Sequence, residues 1–537
     1  MYSCIHLLNM IEFAWIVAIS VLFGGNMSLF SLVFFGGAAA LISRLLPRQH
    51  RWGFVLAASL LFYLLESPRT LPLLILLSLW TWYCARRIGC AETPVPEGLS
   101  REEKRTRRAG IRAVQKRWLA AGLGVDFAVL AIFKYLNDIR VLFGSSRLGI
   151  LLPLGISFYT FQISGYLLDV YGGKTKYEKN PLRFLLFSSF FPQLIQGPIG
   201  RYDALASQLA APEDVDMDGF VRAVLLILYG LMKKLVIADR LAPLVNMVFD
   251  GSVFSGAAAL TGVLAYSAQQ YCDFSGGIDL VTGLAELFGI HLAPNFRRPY
   301  FAVSLADFWR RWHISLGAWM RDYVFYPFAL SRPIKKLSKV AGARLGKNVS
   351  RTIPAAAGNL LIFLLVGLWH GASLNYVLWG MYNGLILAAA SLMEHVYKAW
   401  NERHSVLAAS KGFYLFRIIR TFLVVNIGWF FDRSSDPSKA IDMITSLFVR
   451  FEPGSLTSAF FKTAGLAAPE GAVLAAALMI VFIVSLLGER GIDVRARIMV
   501  MPYLLRLSLV LAACCSIVVF GVWGSGFDAA AFIYNGF

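Results

Sequence analysis

The chain has 537 residues, 57% of them hydrophobic and 15% charged, with a mean hydropathy of +0.62. Soluble proteins are about 45–50% apolar, so this composition excludes an ordinary soluble domain and predicts a multi-span helical membrane protein. The net charge of +19 suggests nucleic acid as a partner, but the basic residues sit in short loops between apolar runs, as cytoplasmic loops do, and no DNA-binding motif or stacking platform accompanies them.

In chain order the apolar runs lie at approximately 4–24, 28–46, 53–66, 70–87, 118–136, 149–171, 183–199, 219–249, 257–290, 353–372, 374–398, 413–431, 471–488 and 502–524. At about 20 apolar residues per span these make roughly ten to twelve spans. The predicted fold class is all-α: a polytopic membrane protein of about 10–13 helices, with re-entrant or short interfacial helices among them. The first run carries no charged n-region and no small-residue cleavage site, so residues 1–27 read as an extra span or an upstream extension rather than a cleaved signal peptide. Met1 and Met27 are alternative starts. Pro68 splits the runs 53–66 and 70–87 into a tight hairpin. The run 183–199 is short, ends in Pro192, Gly197, Pro198 and Gly200, and suits a re-entrant element shielded by protein. The basic segments 44–51, 86–117, 172–183 and 331–351 read as solvated cytoplasmic loops.

Several polar residues interrupt the apolar runs. Tyr159, Gln162, Tyr166 and Asp169 share a helix face, Gln193 and Gln196 follow in the re-entrant candidate, and Gln269, Gln270, Asp273, Ser275 and Asp279 cluster later. They line a tunnel or, for most of them, serve as interhelical hydrogen-bond partners worth about 0.6 kcal/mol each. No internal repeat supports an inverted-repeat transporter. The six cysteines (Cys4, Cys84, Cys90, Cys272, Cys514, Cys515) have no metal-ligand spacing.

Residues 295–327 are too polar to span and too aromatic for a solvent loop. Ser304 followed by Asp307 has the S/T-x-x-D/E form that opens a helix. Beyond it Phe308, Trp312, Trp319 and Tyr323 alternate with Arg310, Arg311, His313, Arg321 and Asp322. An amphipathic interfacial helix with an incidental histidine and a functional site explain the pattern equally well. His370 is the sharper case, because it sits inside the apolar run LLVGLWHGAS. Imidazole takes and returns a proton near neutral pH, and burial keeps it neutral, as a general base must be. Gly367 and Gly371 are expected to let a substrate approach the backbone. The alternative is a structural histidine bonded to a carbonyl at a helix junction. His6, His50, His291, His395 and His404 lie near termini or loops. No nucleophile elbow, Walker loop, HExxH or GxGxxG pattern is present.

Four blocks together resemble the membrane-bound O-acyltransferase family, in its bacterial alginate O-acetyltransferase-like branch. They are LPLGISFYTFQISGYLLDVY (152–171), FFPQLIQGPIGRY (190–202), the long stretch from DFSGGIDLV to DFWRRWHISLGAWMRDYVF (273–325), and LLVGLWHGASLNYVLWGMYNG (364–384). The branch commonly has DFSGYSDMA where this chain reads DFSGGIDLV, and a glycine pair where it reads YPFALSRP. His-Ile-Ser at 313–315 favours the alginate-type branch over the teichoic acid type. The resemblance covers roughly 28–432, which marks an acyltransferase core, with further membrane helices at 433–537. It implies a helical funnel with a tunnel meeting at the catalytic residues His370 and His313. Asp273, Asn295, Trp309, Arg310, Trp312, Arg321, Asp322 and Trp369 are implied as tunnel wall or support. It further implies no metal, no bound cofactor, and an acyl donor that is acetyl-CoA or another acyl thioester from the cytoplasmic side. The acceptor is a polysaccharide or a carrier, and a secreted SGNH-hydrolase-like acyltransferase is the implied protein partner. The location is the inner (plasma) membrane, in contact with its lipid. D-Alanyl transfer to teichoic acid from a carrier protein, a transporter or flippase, and a protein- or lipid-acylating member remain open as alternatives.

Overall fold

A computed structural model describes residues 29–92, 98, 100–146, 148–149, 151–251 and 255–523; the expectation for 1–27 lies outside these. Every regular element among the described residues is helical, and the chain is an all-helical, multi-pass membrane protein. Among the described residues five helices are long and apolar enough to cross a membrane: Arg101–Val141, Lys347–His370, Lys411–Arg433, Ala468–Glu489 and Tyr503–Phe520. Two bent pairs bring the number to seven, Arg48–Glu66 with Pro68–Cys90 (118°) and Leu374–Leu392 with Glu394–Arg403 (57°). The first pair is the hairpin expected at Pro68: Ser67 leaves the helical region with φ −146°, as a residue before proline tends to.

Among the described residues several apolar runs are broken locally and are not counted as candidate spans. Ile156–Gly172 has 17 residues. The run 183–199 becomes two short buried helices, Pro181–Ser189 and Phe191–Gln196. Pro192 sits in the first turn of the second, where its missing N–H leaves nothing unsatisfied. The run 219–249 becomes Met217–Leu231, a π-helical stretch Met232–Ala238 and Asp239–Asp250.

Three basic segments expected to be loops are largely helical, among them 44–51, which lies in Leu29–Leu45 and Arg48–Glu66 apart from residues 46 and 47. Ser100 Oγ accepts from Glu103 N at 3.3 Å while Glu103 Oε2 accepts from Ser100 N at 2.9 Å. This reciprocal cap starts the 42-residue helix Arg101–Leu142, so the charges at 101–117 extend a span directly. Arg332–Leu345 is a separate helix ahead of Lys347–His370. Lysine and arginine are good helix formers, and charge alone is no sign of a loop.

The chain divides into two compact units. One holds the described residues up to Ile227 together with Ile278–Ala293, and the other holds Leu228–Gly277 and the described residues from Pro294. In the first, Gln162 Nε2 donates to Phe187 O at 2.9 Å and to Gln193 Oε1 at 3.3 Å, and Gln193 Nε2 donates to Pro198 O at 3.1 Å. These bonds tie helices together, as the more cautious reading of the polar residues expects. Gly155 (φ 68°) lets Ile156–Gly172 start against the short helix Phe191–Gln196, since a Cβ there would meet Leu194 O at 2.4 Å.

In the second unit Lys347–His370 and Leu374–Leu392 pack backbone to backbone. A Cβ on Gly367 would lie 2.4 Å from Tyr376 O, and one on Gly380 would lie 2.3 Å from Phe363 O. This corrects the role expected for the glycines: Gly367 admits a neighbouring helix rather than a substrate, and a Cβ on Gly371 would strike the Tyr376 ring at 2.9 Å. Gly380→Ala is expected to cost about 1–3 kcal/mol by overpacking. Thermal melting of the detergent-purified variant measures this, and an unchanged midpoint would show that the crossing is loose.

Candidate functional site

The second unit gathers the signature segment and the His370 block. Ser304 Oγ accepts from Asp307 N at 3.1 Å and starts the helix Leu305–Arg311. This short helix ends at Trp312, and a second one, Ile314–Met320, begins after His313. His313 itself has φ 48°, and with Arg298 it is one of two non-glycine residues of positive φ among the described residues. Such a conformation costs on the order of 1–3 kcal/mol and persists only where neighbours fix it.

Asn295 does the fixing. Its backbone oxygen accepts from Ile314 N at 3.0 Å. Its Oδ1 accepts from Ser315 N at 3.0 Å and from Ser315 Oγ at 2.9 Å, and lies 3.3 Å from His313 Nδ1. The Ser315 N–H identifies the Asn295 atom as oxygen, so His313 Nδ1 carries the proton and donates, leaving Nε2 as the basic nitrogen. Phe274 packs edge-on against the imidazole at 4.8 Å. His313 lies outside the spanning helices, and burial alone pushes its pKa down to about 3.

This has a consequence for stability. An unfolded histidine titrates near 6.5, so between about pH 6.5 and 3 the unfolded chain holds a proton that folded His313 refuses. The folded state is therefore fully favoured by this group above that range and loses the advantage as pH falls, by about 2 kcal/mol at pH 5. The drop in melting temperature from pH 7 to pH 5 is expected to be smaller in His313→Gln than in the native chain. Equal drops would contradict the assignment.

His370 is the last residue of Lys347–His370 and is buried. Its ring lies 5.1 Å from Trp369, 4.9 Å from Trp379 and 5.7 Å from Tyr376, centroid to centroid. Trp369 also lies 6.3 Å from His313, so the two histidines share one tryptophan as neighbour. Trp309 donates from Nε1 to Asn383 Oδ1 at 3.1 Å and packs on Phe363 and Trp379. Trp312, 2% exposed, is stacked on Phe308 at 5.5 Å and packs on Phe296 and Trp429. The structure thus brings His313, His370, Asn295, Trp312 and Trp369 together at buried positions, with half-buried Trp309 joined to them through Trp379.

The remaining expected residues sit differently. Asp273 is buried in an ion pair, 2.7 Å from Lys234 Nζ, which also reaches Asp239 at 2.9 Å. Arg310 is exposed and pairs with Asp307 at 3.7 Å. Arg321 and Asp322 pair with each other at 3.1 Å on a partly exposed π-helical turn, Arg321–Phe325. Arg311 instead bridges Asp307 at 3.1 Å and Glu489 at 2.6 Å, and Arg298 joins Glu489 at 2.7 Å. This ties the C-terminal helix Ala468–Glu489 to the signature segment. Sequence reasoning missed Phe274, Tyr376, Trp379, Asn383 and the lysine pair. Only Lys233-Lys234 within an apolar run gave a signal, since buried charge is costly.

A family model described as MBOAT, membrane-bound O-acyltransferase family, matches residues 174–342. That range includes Asn295 and His313 and ends before His370. The chain is 34% identical over 412 residues to the probable alginate O-acetylase AlgI of Azotobacter vinelandii, covering 75% of this chain and 73% of that protein. It is 28% identical over 427 residues to the peptidoglycan O-acetyltransferase of Helicobacter pylori, covering 73% of each. It is 29% identical over 281 residues to the teichoic acid D-alanyltransferase of Bacillus subtilis, covering 52% of this chain and 67% of that protein.

Proposed function

The chain belongs to the membrane-bound O-acyltransferase family and is an O-acyltransferase, and from that premise we propose that it O-acetylates an exported or cell-envelope polysaccharide. The observation that carries this reading is the breadth of the two likenesses to O-acetyltransferases. Relatives named for alginate and peptidoglycan each align over 73% of their length. Of this chain they cover 75% and 73%, against 52% for the D-alanyltransferase, whose own length is covered to 67%.

The chemistry follows from the two imidazoles. The acceptor hydroxyl attacks the carbonyl carbon of an acyl thioester, acetyl-CoA or a related donor, forming the C–O bond as the C–S bond breaks. His370 takes the hydroxyl proton and returns it to the departing thiolate. Positive charge appears on its ring at the C-terminal end of a 24-residue helix, where the carbonyl dipoles favour it. His313, with its proton held on Nδ1 by Asn295, offers Nε2 as an acceptor to a second, non-reacting hydroxyl of the acceptor and so positions the acceptor rather than polarising the carbonyl. Trp369 and Trp379 pack on the rings, and with Trp309 and Trp312 around them they exclude water, which would otherwise hydrolyse the thioester.

The donor enters from the cytoplasmic side of the inner membrane, and the acceptor hydroxyl beyond it belongs to the polysaccharide itself or to a secreted SGNH-hydrolase-like protein that passes the acyl group onward to it. Vesicles of the purified enzyme supplied with labelled acetyl-CoA, an acetylated carrier or a D-alanylated carrier test the reading. Hydroxylamine-labile acetyl label should appear on added polysaccharide. Transfer of D-alanine alone would replace this function with the teichoic acid type.

A further inference from the structure

Only Gly346 separates the helix Arg332–Leu345 from the His370-bearing helix. One side of it is fixed in place. Ile334 is buried, Ser338 Oγ donates to Ser350 O, and Ser350 Oγ donates back to Ser338 O at 2.9 Å. A Cβ on Gly342 would come within 2.9 Å of the Ser350 side chain. Positions 334, 338 and 342 recur every four residues and form a single ridge. The rest of the surface divides into two lanes. Lys335, Lys336 and Lys339 are exposed along one, and Leu337 and Val340 along the other, 49% and 46% exposed, which ends at the exposed Arg344 in the last turn. Leu330, just ahead of the helix, is 63% exposed. The stretch 331–351 carries seven lysines and arginines and no aspartate or glutamate. With 14 residues the helix is too short to span.

We infer that Arg332–Leu345 is a membrane-surface helix that binds anionic phospholipid headgroups through Lys335, Lys336 and Lys339 while Leu337 and Val340 enter the acyl-chain boundary. Adjacent basic and apolar lanes on one short helix are what the interface between headgroups and hydrocarbon accommodates, and each surface lysine is drawn to an anionic leaflet. A soluble acidic partner would match the lysines but give Leu337 and Val340 no counterpart. The reciprocal Ser338–Ser350 bonds transmit the helix's position to Lys347–His370, so lipid contact here sets the depth at which His370 is held.

The test uses the full chain reconstituted in two kinds of vesicle, phosphatidylcholine alone and an equal mixture with phosphatidylglycerol, each containing a lipid with a photoreactive acyl chain. Peptide mapping by mass spectrometry should find adducts at 337–340 several-fold more abundant in the mixed vesicles. A water-soluble amine-acylating reagent should modify Lys335, Lys336 and Lys339 several-fold less there. The triple variant Lys335→Gln, Lys336→Gln, Lys339→Gln should bring the adduct yield in mixed vesicles down to the phosphatidylcholine level, while labelling of Ala468–Glu489 stays constant and reports an intact fold. Absence of adducts in 332–345 beside normal labelling of Ala468–Glu489 would overturn the inference. So would equal labelling in the two vesicles, or lysines equally reactive in both, which would point to a soluble partner.

Discussion

His370→Ala is expected to lower acyl transfer by about 10²–10⁴-fold, the usual contribution of a positioned general base, while the protein remains inserted and folded. Alanine leaves a void among Trp369, Tyr376 and Trp379, which pack around the imidazole, so packing loss and proton transfer need separating. His370→Gln does this. It keeps much of the volume and a hydrogen-bonding group but cannot take a proton. Both variants should be comparably inactive in a thioester-consumption assay, and Gln should melt closer to the native protein. Near-native transfer by His370→Gln would place the base elsewhere.

Lys234→Met is expected to have the largest effect on stability. Lys234 lies between two carboxylates, at 2.7 Å from Asp273 and 2.9 Å from Asp239. All three residues are buried. Removing the cation leaves two negative groups together in a low-dielectric interior, and breaking such a pair costs about 3–5 kcal/mol. Much of the variant should fail to survive extraction in detergent. Asp273→Asn should be milder, because Lys234 keeps Asp239. The double variant Lys234→Met, Asp273→Leu should regain part of the loss, because replacing buried ions by apolar groups is often close to neutral. Size-exclusion yield and melting temperature measure all three. A Lys234→Met protein as stable as the native one would contradict the picture. Asp273 acts here as a charge partner of the π-helical stretch, so its variants should alter stability more than turnover.

The all-helical class was legible because composition and run length report directly on the membrane environment. Where the runs break was not. The sequence 183–199 shows its prolines, but Lys233 and Lys234 disclose their partners only once Ser275 is brought to the first, and Asp239 and Asp273 to the second, in space. The charges at 101–117 and 332–345 suggested loops, while the Ser100–Glu103 cap and strong helix propensity made helices. His313 and His370 stood out because ionisable groups are rare in apolar surroundings. Their common neighbour Trp369 and the Asn295 clamp arise from contacts between distant segments, which no periodicity encodes. The glycines beside His370 illustrate the opposite case: the residue type was informative, but helix packing rather than substrate access explains it.

We propose that this chain transfers acetyl groups to polysaccharide with His370 as the base. Mass spectrometry of envelope polysaccharide from cells producing the native chain or His370→Gln, at equal membrane abundance, tests it most directly. The prediction is ester-linked acetyl groups in the first and background levels in the second. Equal acetyl content in the two would contradict it.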